Sequence, residues 1–182
     1  MGSTAGKAAE EAAPAALSNV ERAFLPASSL IESAGSEGPI THLEIGRLIE
    51  RAHRRFLDVL RAELTRLGVD DISPSQVMLL FTIGNDELSV RDLLERGHYL
   101  GSNASYNLKQ LVDADYVHRA ASQRDRRSAR LRLTDKAQGL CDAIRATHDS
   151  RQSDQDSEQT AELGIAYGVL RRLELLWTGS LR

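Results

Sequence analysis

A chain of 182 residues, 41% of them hydrophobic, can bury one core of ordinary size, so one domain with extensions is expected. The single cysteine, Cys141, excludes an intrachain disulfide framework and a Cys-cluster metal site, and no apolar run approaches the roughly 18 residues of a membrane span. Twenty-three Lys and Arg against 26 Asp and Glu, a net charge of −3, exclude a uniformly basic nucleic-acid coat but not a local basic patch. The N-terminus lacks a charged-then-apolar leader pattern, and the chain reads as soluble and cytoplasmic, with no membrane partner.

Residues 1–41 are rich in Ala, Ser, Gly and Glu and hold Pro14, Pro26 and Pro39. So little large apolar surface cannot offset the entropy of ordering, which predicts a mobile arm, with Ser18–Leu25 able to form one short capped helix. From Leu43 to Leu67 the pattern changes. Ile45, Ile49, Ala52, Phe56, Val59 and Leu60 recur at three- and four-residue steps, a long amphipathic helix stopped by Gly68. Its near-heptad stripe suits packing on another long helix, in the same chain or across a dimer.

Ser73-Pro74-Ser75-Gln76 opens a second helix with Ser73 as N-cap, Pro74 in the first turn and Gln76 closing a capping box. Ser89 caps a short third helix ending near Gly97, and Leu88-Ser89-Val90 can lend one short strand. A fourth helix runs from about Ser102 to Ala114. Tyr116–Ala121 and Ala129–Leu133 read as a hairpin around the charged tip 122–128. Thr134 caps a fifth helix that extends beyond Arg145, with a break expected within 149–159. A last helix, about Thr160–Trp177, sets Leu163, Ala166, Leu170, Leu173 and Trp177 on one stripe.

Three short helices followed by a basic hairpin is the order of a winged helix-turn-helix. On the fourth helix Ala104, Leu108, Leu111 and Val112 share one face. The other surface carries Ser102, Asn103, Ser105, Tyr106, Asn107, Lys109 and Gln110. Hydroxyls, amides and one lysine can hydrogen-bond base edges and phosphates at modest desolvation cost. Helix propensity does not explain this density of Ser, Asn and Tyr. Residues 119–132 hold six arginines (Arg119, Arg124, Arg126, Arg127, Arg130, Arg132) against one acid, Asp125. Residues 89–136 carry ten Lys and Arg and six Asp and Glu, or +4, which leaves −7 on the rest. A positive module on an acidic body suits the phosphate backbone, and arginine suits bidentate and minor-groove contacts.

These residues carry a resemblance. Asp125-Arg126-Arg127-Ser128-Ala129-Arg130-Leu131-Arg132-Leu133-Thr134 resembles the wing signature (DxR, five residues, LT) of the MarR family of bacterial transcription regulators. The Ser102–Lys109 helix, the Tyr116-Val117 strand start and the Thr134-Asp135-Lys136 cap accompany it. Tyr99–Leu111 (YLGSNASYNLKQL) is most similar to the LdtR/PetP-like branch. The likeness covers about residues 42–177 and departs from the family at Ala137, where a glycine is common; Gly139 follows two residues later.

The resemblance implies a mainly α fold with a small β-hairpin wing (α+β), a winged helix-turn-helix domain flanked by N- and C-terminal dimerisation helices. The organisation expected is an arm (1–41), an N-terminal dimerisation helix (42–72), the winged region (73–134) and C-terminal dimerisation helices (135–182). It implies a homodimer on a pseudo-palindromic operator in double-stranded DNA, with the fourth helix in the major groove and the wing in the minor groove. Ser102, Asn103, Ser105, Tyr106, Asn107 and Lys109 would then read bases or hold phosphates, with Arg124, Asp125, Arg126 and Arg127 in the wing. Arg127 matches the family's wing arginine and Asp125 the acid that orients a basic neighbour. Dimerisation falls to Ile45, Ile49, Ala52 and Phe56 with Leu163, Leu170, Leu173 and Trp177. Family members often respond to small aromatic or phenolic effectors, for which Phe56, Met78 and Phe81 are the candidate lining.

Other classes find less support. His42, His53, His98, His118 and His148 are scattered without metal-ligand spacing, and no phosphate loop or nucleophile motif appears. No enzyme, metal or cofactor is therefore expected. Cys141 lies with Ala137, Leu140 and Ile144 on the inward side of its helix, the place of an inert thiol rather than a redox sensor. The competing readings are a protein-docking winged module, a non-specific architectural DNA binder, and an RNA binder, the last disfavoured by a single exposed aromatic.

Overall fold

The structure, a computed structural model, describes residue 29 and residues 40–97, 101–121, 129–153 and 157–179. The expected helix at 18–25 and the wing tip at 122–128 lie outside the described residues. The chain divides into units Met1–Ile40 and Thr41–Arg182, and every element below belongs to the second. In order these are α1 (His42–Arg66), α2 (Pro74–Ile83), β1 (Leu88–Ser89), α3 (Val90–Gly97), α4 (Gly101–Asp113), β2 (Val117–Ala121), β3 (Ala129–Leu133), α5 (Asp135–Ser153) and α6 (Ser157–Gly179).

Helix boundaries follow local chemistry. Thr41 accepts from the Glu44 backbone N–H while the Glu44 carboxylate accepts from the Thr41 N–H, a capping box that starts α1. Ser73 and Gln76 form the box expected at α2. Ser89 and Asp92 exchange the same pair of bonds at α3. α1 ends in a Schellman motif, with Gly68 at φ +70° and the Val69 N–H reaching the Leu64 carbonyl. α4 ends the same way, but its left-handed position is held by Asp115, at φ +60°, with the Tyr116 N–H on the Leu111 carbonyl. The α5 cap is shared: the Thr134 hydroxyl accepts from the Ala137 N–H and donates to the Asp115 carbonyl. One side chain thus ties the end of α4 to the start of α5.

The sheet is antiparallel, in the order β1-β3-β2, with Leu88 opposite Leu131 and Arg119 opposite Leu131 on the other side. Alternation sends Leu131 and Leu133 into the core and Arg132 out. α2 is apolar on nearly all sides because it is central, packing on α1, α3, α4, α5 and β3. Around it lie Leu60, Leu64, Val77, Leu80, Leu111, Tyr116, Leu133 and Ile144, all buried.

The long N-terminal helix divides in two. Leu60 and Leu64 at its C-terminal end belong to the winged core, whereas Phe56 and Val59 are about 40% exposed and Ala52 is exposed. The N-terminal half meets α6, where Trp177 Nε1 donates to His42 Nδ1 at 3.4 Å and the two rings meet edge to face. On α6 the stripe of Leu163, Ala166, Leu170, Leu173 and Trp177 is buried within the protomer only at Leu173 among the described residues, and Ile165, Tyr167, Leu175 and Leu176 outside it are exposed as well.

Candidate nucleic-acid interface

The face of α4 opposite the core is the first half of the site. Ala104, Leu108 and Leu111 anchor the helix, and Ser102, Asn103, Ser105, Tyr106 and Lys109 stand exposed. Tyr106 is 65% exposed, far more than an aromatic would be if it served the monomer's core. Asn107 is half-buried, and its Nδ2 donates to the Asn103 carbonyl, so only its oxygen is left for other contacts.

Behind this face runs a chain of amides. Gln76, buried in the α2 cap, donates from Nε2 to Gln110 Oε1 at 2.7 Å. Gln110 in turn donates from Nε2 to Tyr106 Oη at 3.1 Å. In the sequence Gln76 signals only a cap, because a contact between residues 34 apart leaves no local mark. The spacing of Gln110 four residues after Tyr106 is the one signal that could have found it.

The hairpin is the second half. Arg119 and Arg132 are exposed, with no carboxylate partner among the described residues. Arg130 is drawn towards Glu87 at 3.7 Å. Arg124, Asp125, Arg126 and Arg127 lie outside the described residues. The hairpin base is held by Asp71, which accepts from Tyr116 Oη at 2.7 Å and from Lys136 Nζ at 2.8 Å. Lys136 also lies 3.9 Å from the centre of the Tyr116 ring. Burial pushes the Asp71 carboxyl up, but the bonds from Lys136 and Tyr116 outweigh it and hold its pKa below the ordinary value.

Phe56, Met78 and Phe81, the candidate effector residues, do not line the apolar cavity between α1 and α6. Met78 and Phe81 pack partly buried against the core, with the Arg145 guanidinium 5.3 Å from the Phe81 ring. Phe56 lies 6.0 Å from the His148 ring, whose buried Nε2 has no hydrogen-bond partner among the described residues. That cavity, of roughly 530 Å3, is lined by Ile49, Tyr167, Leu170 and Trp177 among others. Cys141 is buried, and burial pushes its thiol up to about 11. Such a thiol is un-ionised near neutrality. Among the described residues no cluster of His, Cys, Asp and Glu could hold a metal, and no helix is long and apolar enough to cross a membrane.

Known proteins share this architecture. The structure resembles Streptococcus pneumoniae FabT in complex with DNA (TM-score 0.58, 23% identity, 72% of this chain and 99% of that one). It also resembles a mutant E. coli MarR complexed with operator DNA (TM-score 0.55, 20% identity, 69% and 92%). At these identities the likeness establishes the winged-helix fold. A family model described as MarR family matches residues 70–128. The exopolysaccharide II synthesis transcriptional activator ExpG of Rhizobium meliloti (strain 1021) is 51% identical over 150 residues, 81% of this chain and 77% of that protein. Identity of that extent, over the whole winged core and beyond it, goes with common descent as well as common shape: the chain belongs to the MarR family of transcription regulators.

Proposed function

We propose that this regulator acts in the cytoplasm as a homodimer on a pseudo-palindromic site in double-stranded DNA, each protomer setting α4 in a major groove and its wing in the adjacent minor groove. The observation that carries the reading is a polar helix face, bearing one lysine and no acid from Ser102 to Gln110, beside an arginine-rich hairpin on an otherwise acidic chain. Ser102, Asn103, Ser105, Tyr106 and Lys109 are the contacts from α4, with Asn107 contributing its oxygen. Arg124, Arg126 and Arg127 supply the wing, with Asp125 orienting one of them. A face of this kind favours DNA over a protein partner, since docking on protein would call for an apolar or acidic surface.

The dimer is built from α1 and α6, whose apolar residues Ile45, Ile49, Phe56, Leu163, Leu170 and Trp177 are not fully covered within one protomer. The functional division proposed is an arm at 1–41, dimerisation segments at 42–72 and 135–182, and the DNA-binding region at 73–134. A small aromatic or phenolic effector is proposed near Phe56, Met78 and Phe81. The buried, unpartnered His148 Nε2 beside Phe56 is what a phenolic hydroxyl would satisfy. Because ExpG is an activator at 51% identity, activation is the proposed direction of regulation.

The test is duplex DNA affinity across a salt series. Counterion release makes affinity fall steeply with salt, and Arg127→Ala should weaken binding to every sequence and flatten the log–log slope by about one. An unchanged affinity and slope in Arg127→Ala would overturn the wing assignment.

A further inference from the structure

The amide chain behind α4 has a direction, and backbone chemistry fixes it. The Ser73 backbone N–H can only donate, and it donates to Gln76 Oε1 at 2.7 Å. The other end of that amide, Nε2, must then face Gln110 and donate to its Oε1 at 2.7 Å. Gln110 is thereby left to offer Nε2 to Tyr106 Oη at 3.1 Å. Neither glutamine can be turned over without setting two donors or two acceptors against each other. The Tyr106 oxygen is therefore occupied as an acceptor. Its hydrogen has no acceptor among the described residues and is left for a partner outside the chain.

We propose that Gln76 and Gln110 are positioning residues that make Tyr106 an obligatory hydrogen-bond donor at the DNA surface. The inference rests on the reading of α4 as the groove-reading helix and adds the chemistry of what Tyr106 meets there. The partner is an acceptor that carries no hydrogen: a purine N7, a base carbonyl of guanine or thymine, or a phosphate oxygen. Adenine and cytosine amino groups, which are donors, are rejected by the same arrangement. The buried Gln76 touches no DNA in this arrangement, yet it sets the preference of a side chain on another helix.

The experiment uses the full-length protein and its selected duplex. Single acceptors are removed in turn with deazapurines lacking N7, base analogues lacking one carbonyl, and methylphosphonates that neutralise one phosphate. The readout is the ratio of affinities for the intact and the altered duplex, which cancels any uniform change in charge or folded fraction. Wild type should lose roughly threefold to tenfold at one acceptor, the worth of one neutral hydrogen bond. Tyr106→Phe should bring that ratio to about one.

Gln110→Glu is the decisive variant. A carboxylate there accepts from both Gln76 Nε2 and the Tyr106 hydroxyl, turning the hydroxyl inward, so its ratio should also fall to one. Adding Tyr106→Phe should then change nothing further. Gln76→Glu keeps the capping box and reverses the chain from its far end, with the same expected ratio. A melting curve accompanies each variant, and Gln110→Glu sits on the exposed side, where folding is not at risk. If both Glu variants keep the wild-type ratio while Tyr106→Phe loses it, Tyr106 reads DNA without the relay and the inference is overturned. If wild type discriminates at no acceptor although a symmetric consensus is found, Tyr106 is not a donor to DNA and the inference fails alone. If no duplex is bound specifically, the reading of α4 fails and takes the inference with it. A ratio above one that shifts to a methylphosphonate identifies the phosphate source, and to a base analogue the base edge; either sustains the donor assignment.

Discussion

Leu170→Ala tests the proposed dimer through a side chain whose burial is half complete. Leu170 lies on α6 and is 46% exposed in one protomer. Fully burying a leucine is worth roughly 1.5–3 kcal/mol, so about 1 kcal/mol per protomer is still to be gained when a partner covers it. Two-fold symmetry counts that contribution twice, giving about 2 kcal/mol per dimer, or roughly a thirtyfold change in dimer Kd. Any cavity left by the alanine adds to this figure. Sedimentation velocity over a concentration series reads the dissociation constant, and urea unfolding at high protein concentration reads the winged core separately. The core, which Leu170 does not join, should keep its stability apart from the mass-action share of the dimer. A dimer Kd within twofold of wild type would mean that Leu170 is not covered by a partner. So would a wild-type protein that stays monomeric at micromolar concentration, because the exposed apolar residues of α6 would then need another cover.

Three further expectations follow from the packing. Thr134→Ala removes both the α5 cap and the bond to the Asp115 carbonyl, and should cost about 1–2 kcal/mol in denaturant unfolding; a loss below about 0.3 kcal/mol would contradict the shared cap. Asp71 has a folded pKa below its unfolded one, so its contribution to stability is present above about pH 4 and is lost as pH falls through the folded value. Asp71→Asn should accordingly flatten the acid limb of a stability–pH profile while leaving its shape near neutrality; an unaltered acid limb would remove Asp71 from the hairpin base. Burial holds the Cys141 thiol un-ionised, so alkylation at neutral pH should be slow in native protein and fast in denaturant. Rapid native labelling would reopen a redox role.

Helix starts were legible because caps are local chemistry: Ser73 with Gln76, Ser89 and Thr134 all do in the structure what their spacing announces. Thr41 and Glu44 carry the same Ser/Thr-x-x-Glu signal, and the start of α1 could have been set from it. The winged order and the inward side of α4 were readable from periodicity, since Ala104, Leu108 and Leu111 bury as their spacing requires. Periodicity fails where the partner decides. Leu60 and Phe56 sit on one stripe of α1, yet the first is fully buried in the winged core while the second meets the His148 ring and stays 39% exposed. Glu63 looks like a surface acid but is buried, paired with Arg66, which also reaches Thr147 on α5. On α6 the stripe from Leu163 to Trp177 is visible in the sequence, but Ile165, Tyr167 and Leu176 add apolar surface outside it, and the exposure of both follows from what the protomer leaves uncovered. The left-handed turn at Asp115 was not legible, because aspartate reaches that conformation only where surrounding bonds hold it. The Gln76–Gln110–Tyr106 chain was invisible for a different reason: it joins two helices whose approach only the fold defines.

Sequence-specific recognition of DNA by a two-fold symmetric protein is best tested by selection from a random duplex DNA pool, with the solution mass of the protein–DNA complex measured alongside. The expected result is a consensus with two related half-sites about one helical turn apart, bound by two protomers. Salt-sensitive binding without a consensus, or a complex holding a single protomer on an asymmetric site, would contradict it.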